Sequence, residues 1–392
     1  MSRSGPRVLV TDGQDRCGLA AVRCLCASGH RVTAAALHRS APGMWVRGLE
    51  GRQVLPDPRD NIDRFTHALQ QLLGAEPHDV VLPGRDETLY AISARREELG
   101  PAVQTSLPPH AAVLRALDKL ALAEDATSVG LAPPPQRLCQ SDEQATAAAA
   151  EFGWPVLVKP IGVCFDAGEA VGRHPSRLVS DAERLQAARR ELGDCIVQQR
   201  VEGTTISVGG VAADGELVGT VVARYIRTWR PDAGNASFAE TIDPPAGLLD
   251  RIAALVNLIG WRGIFEVELM QAPDGALHAL DFNPRLYGSL SLARASGAPL
   301  TTLWCDWLVG RNPQAITANP GIRYRLEDAE IMNLARHLRR AEFARAAAVA
   351  RPRRHTVHAY LQASDPIPGL IHSLSLGRGS VRSVASRLKT AQ

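Results

Sequence analysis

Glu266 and Glu268 stand two residues apart in Gly263-Ile-Phe-Glu-Val-Glu-Leu-Met270, and Asp281 and Asn283 stand two apart at the end of Leu277-His-Ala-Leu-Asp-Phe-Asn283. Both stretches read as strands, whose side chains alternate between faces, so each pair shares one face. Pro273-Asp-Gly275 between them is a strong hairpin signal. Pairing across that turn can bring the oxygens of both pairs together at one end. Carboxylates with an amide carbonyl are hard oxygen donors, which suit magnesium holding nucleotide phosphates. Arg285 adds a planar positive fork beside them. An exposed hairpin face with solvated acids is the competing reading.

Of 44 basic residues only Lys119, Lys159 and Lys389 are lysine. A chain that uses arginine for generic surface charge has a physical reason to keep a compact ammonium, and a phosphate oxygen is the partner such a point charge suits. Arg224, Arg227 and Arg230 could dock an anionic substrate bidentately or simply line a solvated strand edge. Ser237 is a further candidate substrate contact.

These residues need a scaffold, and 392 residues with 45% hydrophobic content supply core enough for two or three packed domains. A net charge of +3 does not argue for nucleic acid. The Arg336–Arg354 stretch has little interleaved aromatic character and reads as a solvated helix rather than an RNA contact. No apolar run approaches the roughly 20 residues of a membrane span, and the first residues lack a hydrophobic signal core. Seven cysteines with no Cys-x-x-Cys pair point to a reducing cytoplasm. Walker A, Gly-x-Ser-x-Gly and His-Glu-x-x-His motifs are absent. Gly13-x-x-x-x-Gly18 is expected to make a tight turn rather than bind NAD, since the second strand ends without an acid for a ribose. Cys164 has no histidine nearby in sequence and reads as an inert thiol.

Strands at Arg7–Thr11, Val32–Leu37 and Asp79–Pro83 alternate with helical spacing, which predicts a doubly wound parallel sheet over residues 1–115. A helix is expected over about 110–129, carrying Lys119. Pro155-Val-Leu-Val-Lys159 reads as a strand ending in its lysine, 161–178 as a loop, and 205–224 as a hairpin turning at Asp214-Gly215.

Lys119 in Leu117-Asp-Lys-Leu, Lys159 in Val156-Leu-Val-Lys-Pro160, Glu268 in Phe265-Glu-Val-Glu-Leu and Asp281-Phe-Asn283-Pro-Arg285 together resemble the ordered signature of the ATP-grasp superfamily. The outer segments are similar to predicted carboxylate–amine ligases with a carbamoyl-phosphate-synthetase-like N-terminal domain. The resemblance implies a pre-ATP-grasp α/β domain (1–115), an ATP-grasp fold of two α+β lobes, small (116–190) and large (191–315), and a C-terminal extension (316–392). It further implies that Lys119 and Lys159 neutralise nucleotide phosphates, that Glu268, Asp281 and Asn283 bind Mg2+ (or Mn2+), and that Arg285 steadies the transferred phosphoryl group. Gln198, Gln199, Val201 and Glu202 fall where the family contacts adenine and ribose. Two departures stand out. Thr205 occupies a position where the family has a ribose-binding acid, and the phosphate-covering loop 161–172 carries Asp166 and Glu169 in place of a Gly/Ser-rich run.

The expected activity is ATP-dependent joining of a small carboxylate to an amine through an acyl-phosphate, with closure of residues 161–176 excluding water. A homodimer is compatible, and neither nucleic acid nor membrane is an expected partner. Bicarbonate activation and a non-catalytic nucleotide-binding module are the alternatives.

Overall fold

The computed structural model describes residues 5–166, 168–230 and 234–376. The N-terminal domain is the expected parallel sheet. Strands β1 (Arg7–Val10), β2 (Arg31–Ala36), β3 (Gly51–Val54) and β4 (Val80–Leu82) lie in the order β3-β2-β1-β4, all parallel. Helix α1 (Arg16–Ala27) joins β1 to β2, α2 (Ile62–Ala75) joins β3 to β4, α3 (Asp86–Ala94) follows β4, and together they cover both faces. Strand alternation sorts the residues between two cores. Val8 and Val10 pack with Leu19, Val22 and Leu25 of α1, whereas Leu9 and Val81 pack with Phe65 and Leu69 of α2 and Ile92 of α3. Gly18 lets α1 begin against the end of β1, where a Cβ would lie 2.4 Å from the Asp12 carbonyl oxygen. That closeness explains the Gly-x4-Gly spacing as a packing device.

Short helices α4 (Arg96–Leu99) and α5 (Pro101–Ser106) lead to α6 (His110–Leu117) and α7 (Lys119–Ser128). The single helix expected over 110–129 is therefore broken at Asp118. Its Oδ1 caps α7 by accepting from the Leu120 and Ala121 amides at 2.8 and 3.1 Å. The break sets Lys119 at the first turn of α7.

The small lobe is an antiparallel sheet of β5 (Gln136–Cys139), β10 (Cys195–Gln199), β6 (Val156–Pro160) and β9 (Arg177–Val179), covered by α8 (Asp142–Phe152) and α9 (Ala182–Leu192). It holds its own core of Val156, Val158, Leu185, Ala188 and Val197. Because β10 pairs with both β5 and β6, this lobe runs to Gln199, past the expected 190. The stretch expected as loop contains a small antiparallel ribbon, β7 (Cys164–Asp166) with β8 (Val171–Arg173).

The large lobe is one sheet, in the order β15-β14-β11-β12-β13-β17-β18, with β16 beside β12. Its members are β11 (Thr204–Ala213), β12 (Glu216–Trp229), β13 (Asn235–Thr241), β14 (Gly263–Gln271), β15 (Leu277–Asn283), β16 (Ile316–Thr317), β17 (Arg323–Arg325) and β18 (Thr356–His358). Asp214 and Gly215, at φ 49° and 85°, make the tight turn between β11 and β12. Helices α10 (Leu248–Ile259), α11 (Leu290–Ala295), α12 (Leu300–Leu308), α13 (Glu327–Arg339) and α14 (Phe343–Ala350) pack on this sheet and its neighbours. The segment expected as a separate extension thus continues the same sheet, because β17 satisfies the free edge of β13. Its distal part returns to the N-terminal domain, where buried Asp365 accepts from Arg23 Nε at 3.0 Å and from the Arg47 amide at 3.1 Å.

Candidate active site

The β14–β15 register realises the pairing read from the sequence: Glu266 lies opposite Asn283, and Glu268 opposite Asp281. Burial and the neighbouring Glu268 carboxylate push the Glu266 pKa up; burial and Asp281 do the same to Glu268. Negative charge packed this closely calls for a cation. Tyr225, on β12 two strands away, donates its hydroxyl to Glu268 Oε1 at 2.8 Å and orients that carboxylate.

Both internal lysines reach this group. Lys119 Nζ lies 2.5 Å from Asp281 Oδ1, and Lys159 Nζ donates to the Leu280 carbonyl at 3.0 Å. Burial, followed by the charge of Lys119, lowers the Lys159 pKa to about 8. An ammonium held this way is short of negative charge, which an entering phosphate would supply.

A cavity of about 820 Å³ runs between the lobes from Lys159, Glu268 and Asp281 to the segment Gln198–Glu202. Leu157, Met270 and Leu280 give it apolar walls. Gln198 is 1% exposed; its Nε2 donates to Gln136 Oε1 at 2.7 Å, while its own Oε1 has no hydrogen-bond partner. A buried amide oxygen at the wall of a cavity is an acceptor awaiting a donor. Gln199, on the opposite face of β10, donates to the Phe152 carbonyl at 3.4 Å and also borders the cavity. Val201 lines it, and Glu202 stands exposed at its rim beside Thr205.

Asn283 and Arg285 are not among the residues lining this cavity. Asn283 Nδ2 donates to Glu266 Oε2 at 3.2 Å, and Arg285 Nη2 donates to Asn283 Oδ1 at 3.2 Å. The Arg285 guanidinium is gripped by Asp86 of the N-terminal domain, at 2.6 and 3.0 Å. Burial alone would raise the Asp86 pKa, but Arg285 outweighs it and holds the carboxyl below its usual value. Sequence reasoning missed Asp86 and Tyr225. It also missed Arg173, which lines the cavity from β8 and approaches Asp86 at 3.5 Å. None of the three belongs to a motif, and only the tertiary fold brings them to the site.

The ribbon carrying Arg173 packs on the N-terminal domain. The Glu169 backbone carbonyl accepts from the Ile62 amide at 2.7 Å, and the Val171 amide donates to the Pro58 carbonyl at 3.0 Å. The Asp166 side chain and Lys389 lie outside the described residues. Cys164 is buried and its thiol pKa is raised, mainly by burial, which makes it a poor nucleophile.

The proposed substrate residues divide. Arg227 borders the cavity, but its guanidinium is engaged by Glu330, with Nε at 3.1 Å, and lies over the Phe238 ring. Arg224 donates to Glu240 at 3.1 Å, and Arg230 is exposed. Ser237 corrects the expectation: it is wholly buried, with its hydroxyl donating to Glu330 at 2.8 Å, so it cannot meet a substrate in the cleft.

No family model matches the chain. A 202-residue stretch, 48% of the chain, is 30% identical to the arginine-specific carbamoyl phosphate synthase large chain of Neurospora crassa, of which it spans 17%. Another relative is the formate-dependent phosphoribosylglycinamide formyltransferase of Rhodococcus jostii, 26% identical over 63% of this chain and 61% of that protein. The chain therefore spans less than two thirds of the length of these relatives. Among solved structures, the ADP complex of N5-carboxyaminoimidazole ribonucleotide synthetase matches 87% of each chain at 17% identity and TM-score 0.60. The biotin carboxylase of Campylobacter jejuni matches 81% of this chain and 74% of its own at 15% identity and TM-score 0.63. L-amino acid ligase from Bacillus licheniformis matches 79% and 75% at 14% identity and TM-score 0.56.

The chain has the ATP-grasp fold.

Among the described residues no group of three His, Cys, Asp or Glu side chains forms a metal cluster. The candidate set is instead two carboxylates and one amide, Glu268, Asp281 and Asn283. Its excess negative charge and hard oxygen chemistry fit magnesium.

Proposed function

We propose that the chain is an ATP-dependent ligase that activates a small carboxylate as an acyl-phosphate and joins it to an amine, releasing ADP and phosphate. The observation that carries this reading is the cavity itself, which has the two acids and Lys159 at one end and the orphaned Gln198 oxygen at the other. Gln198 Oε1 would accept from the adenine amino group between the walls of Leu157, Met270 and Leu280. Lys159 and Lys119 would neutralise phosphate oxygens. Glu268, Asp281 and Asn283 would hold magnesium, which supplies charge neutralisation for phosphoryl transfer. Arg285, aimed by Asp86, would place its charge where the carboxylate meets the γ-phosphate. The hairpin of β7 and β8, brought over the phosphates, would keep water from the acyl-phosphate.

The biotin carboxylase likeness supports bicarbonate as a second reading of the acid, on the same machinery. The test is ADP and phosphate release from Mg-ATP across a panel of amino acids, small carboxylates and bicarbonate, with and without amines. Products are followed by mass. Release tied to one acid, with a product one water lighter than acid plus amine, supports the ligase. Release that needs bicarbonate alone replaces it. As to assembly, the reading includes a homodimer in the cytoplasm, which sedimentation velocity tests. No helix among the described residues is long and apolar enough to cross a membrane.

A further inference from the structure

A second cavity, of about 370 Å³, opens between the end of β12 and the helices α13 and α14. It shares Ile226, Arg227 and Thr228 with the nucleotide cleft but none of the phosphate- or metal-end residues. Its volume falls in the range of small-molecule sites. The Arg-rich stretch that reads as a solvated helix from sequence contributes Arg336 and Arg345 to its wall.

Charge and hydrogen bonding are unequally distributed there. Arg227 is neutralised by Glu330, and His337 Nδ1 lies 2.5 Å from Glu342. Arg345 has only a 3.5 Å contact with that same Glu342. Half-buried Arg336 lines the cavity and has no acidic or hydrogen-bonding partner for its side chain among the described residues, so its fork is unfilled.

One turn back on the same helix face stands Asn333, 3% exposed. Its Nδ2 donates to the Thr228 carbonyl at 3.2 Å and to Ser237 Oγ at 3.0 Å. Ser237 Oγ spends its own proton on Glu330, so it must accept from Asn333, and this fixes the amide orientation. Asn333 Oδ1 is left as an acceptor that receives no hydrogen bond from any described residue. The remaining wall is apolar: Ile226, Ala348 and Val349.

The geometry points to a binding site for a small organic acid that carries an N–H or O–H donor next to its carboxylate and an apolar tail. The carboxylate takes the Arg336 fork, the donor reaches Asn333 Oδ1, and the tail lies on Ile226, Ala348 and Val349. Amino acids and hydroxy acids share this chemistry. The site stands or falls independently of the ligase reading, because of the residues it uses only Ile226 borders the nucleotide cleft, and none is given a part in holding the nucleotide or the metal.

Titration calorimetry on the full chain without nucleotide tests it with three acids of one carbon skeleton: L-valine, 2-hydroxyisovalerate and isovalerate. Valine or the hydroxy acid is expected to bind about tenfold more tightly than isovalerate, which lacks the donor. A preference between the first two identifies the donor as amine or hydroxyl. Arg336→Gln is expected to weaken binding about tenfold. Ala348→Phe, an exposed position on the cavity wall, is expected to block it by filling the space. Both variants should bind ADP as the wild type does, which shows that they are folded. No binding of any of the three acids, equal binding of all three, or wild-type affinity in both variants would overturn the proposal.

Discussion

Asp86 and Arg285, 199 residues apart in sequence, form a buried two-point ion pair with Asp86 oxygens 2.6 Å from Nε and 3.0 Å from Nη2. The pair ties the N-terminal domain to the metal end of the nucleotide cleft and fixes the plane of the guanidinium. Asp86→Asn keeps the shape but removes the charge and one of the two acceptors. Turnover is predicted to fall about 10–100-fold while ADP affinity stays unchanged, because positioning is lost and nucleotide contacts are not. Steady-state kcat beside a calorimetric ADP titration checks this, and unchanged turnover would remove the link.

That ion pair also marks where sequence reading stops. Glu266, Glu268, Asp281 and Asn283 were legible because period-two alternation and a Pro-Asp-Gly turn determine which side chains meet, and the observed register agrees. Lys119 and Lys159 were legible because the chain otherwise uses arginine. Asp86 was not, since its role depends on how two domains dock. Ser237 misled for the same reason: nothing local shows that α13 covers it with Glu330. The break at Asp118 was hidden within an uninterrupted apolar pattern, and only the cap and the bridge to Gly162 disclose it.

Lys159 carries a pH prediction. Its folded pKa is about 8, below the ordinary lysine value of 10.5, so in the free protein it loses its proton as pH rises through 8. Phosphate binding favours the charged form. ADP affinity, measured without divalent metal, is therefore predicted to be full below pH 8 and to decline above it. Lys159→Arg stays charged and is predicted to flatten that decline. A wild-type profile that is level from pH 7 to about 10 would contradict the assignment.

Gln198 bears on base selectivity. Its unpartnered Oε1 favours the amino group of adenine over the carbonyl of guanine. Gln198→Leu is predicted to weaken ADP binding about tenfold and to narrow the preference for ADP over GDP. Competition titration of the two nucleotides reads both effects.

Ser237→Ala separates support from substrate contact. The loss of its bond to buried Glu330 is predicted to cost about 1–2 kcal/mol of stability in denaturant unfolding. The KM for the acid substrate is predicted to stay unchanged. A selective rise in KM without loss of stability would return Ser237 to the substrate site.

The central claim is that a substrate carboxylate attacks the γ-phosphate. The most direct measurement supplies the acid labelled with 18O in its carboxylate, together with Mg-ATP and the amine, and weighs the phosphate released. Breakdown of an acyl-phosphate leaves one carboxylate oxygen on phosphorus, so the account predicts one 18O in each phosphate formed. Phosphate carrying no label, in a reaction that still makes the amide, would contradict it.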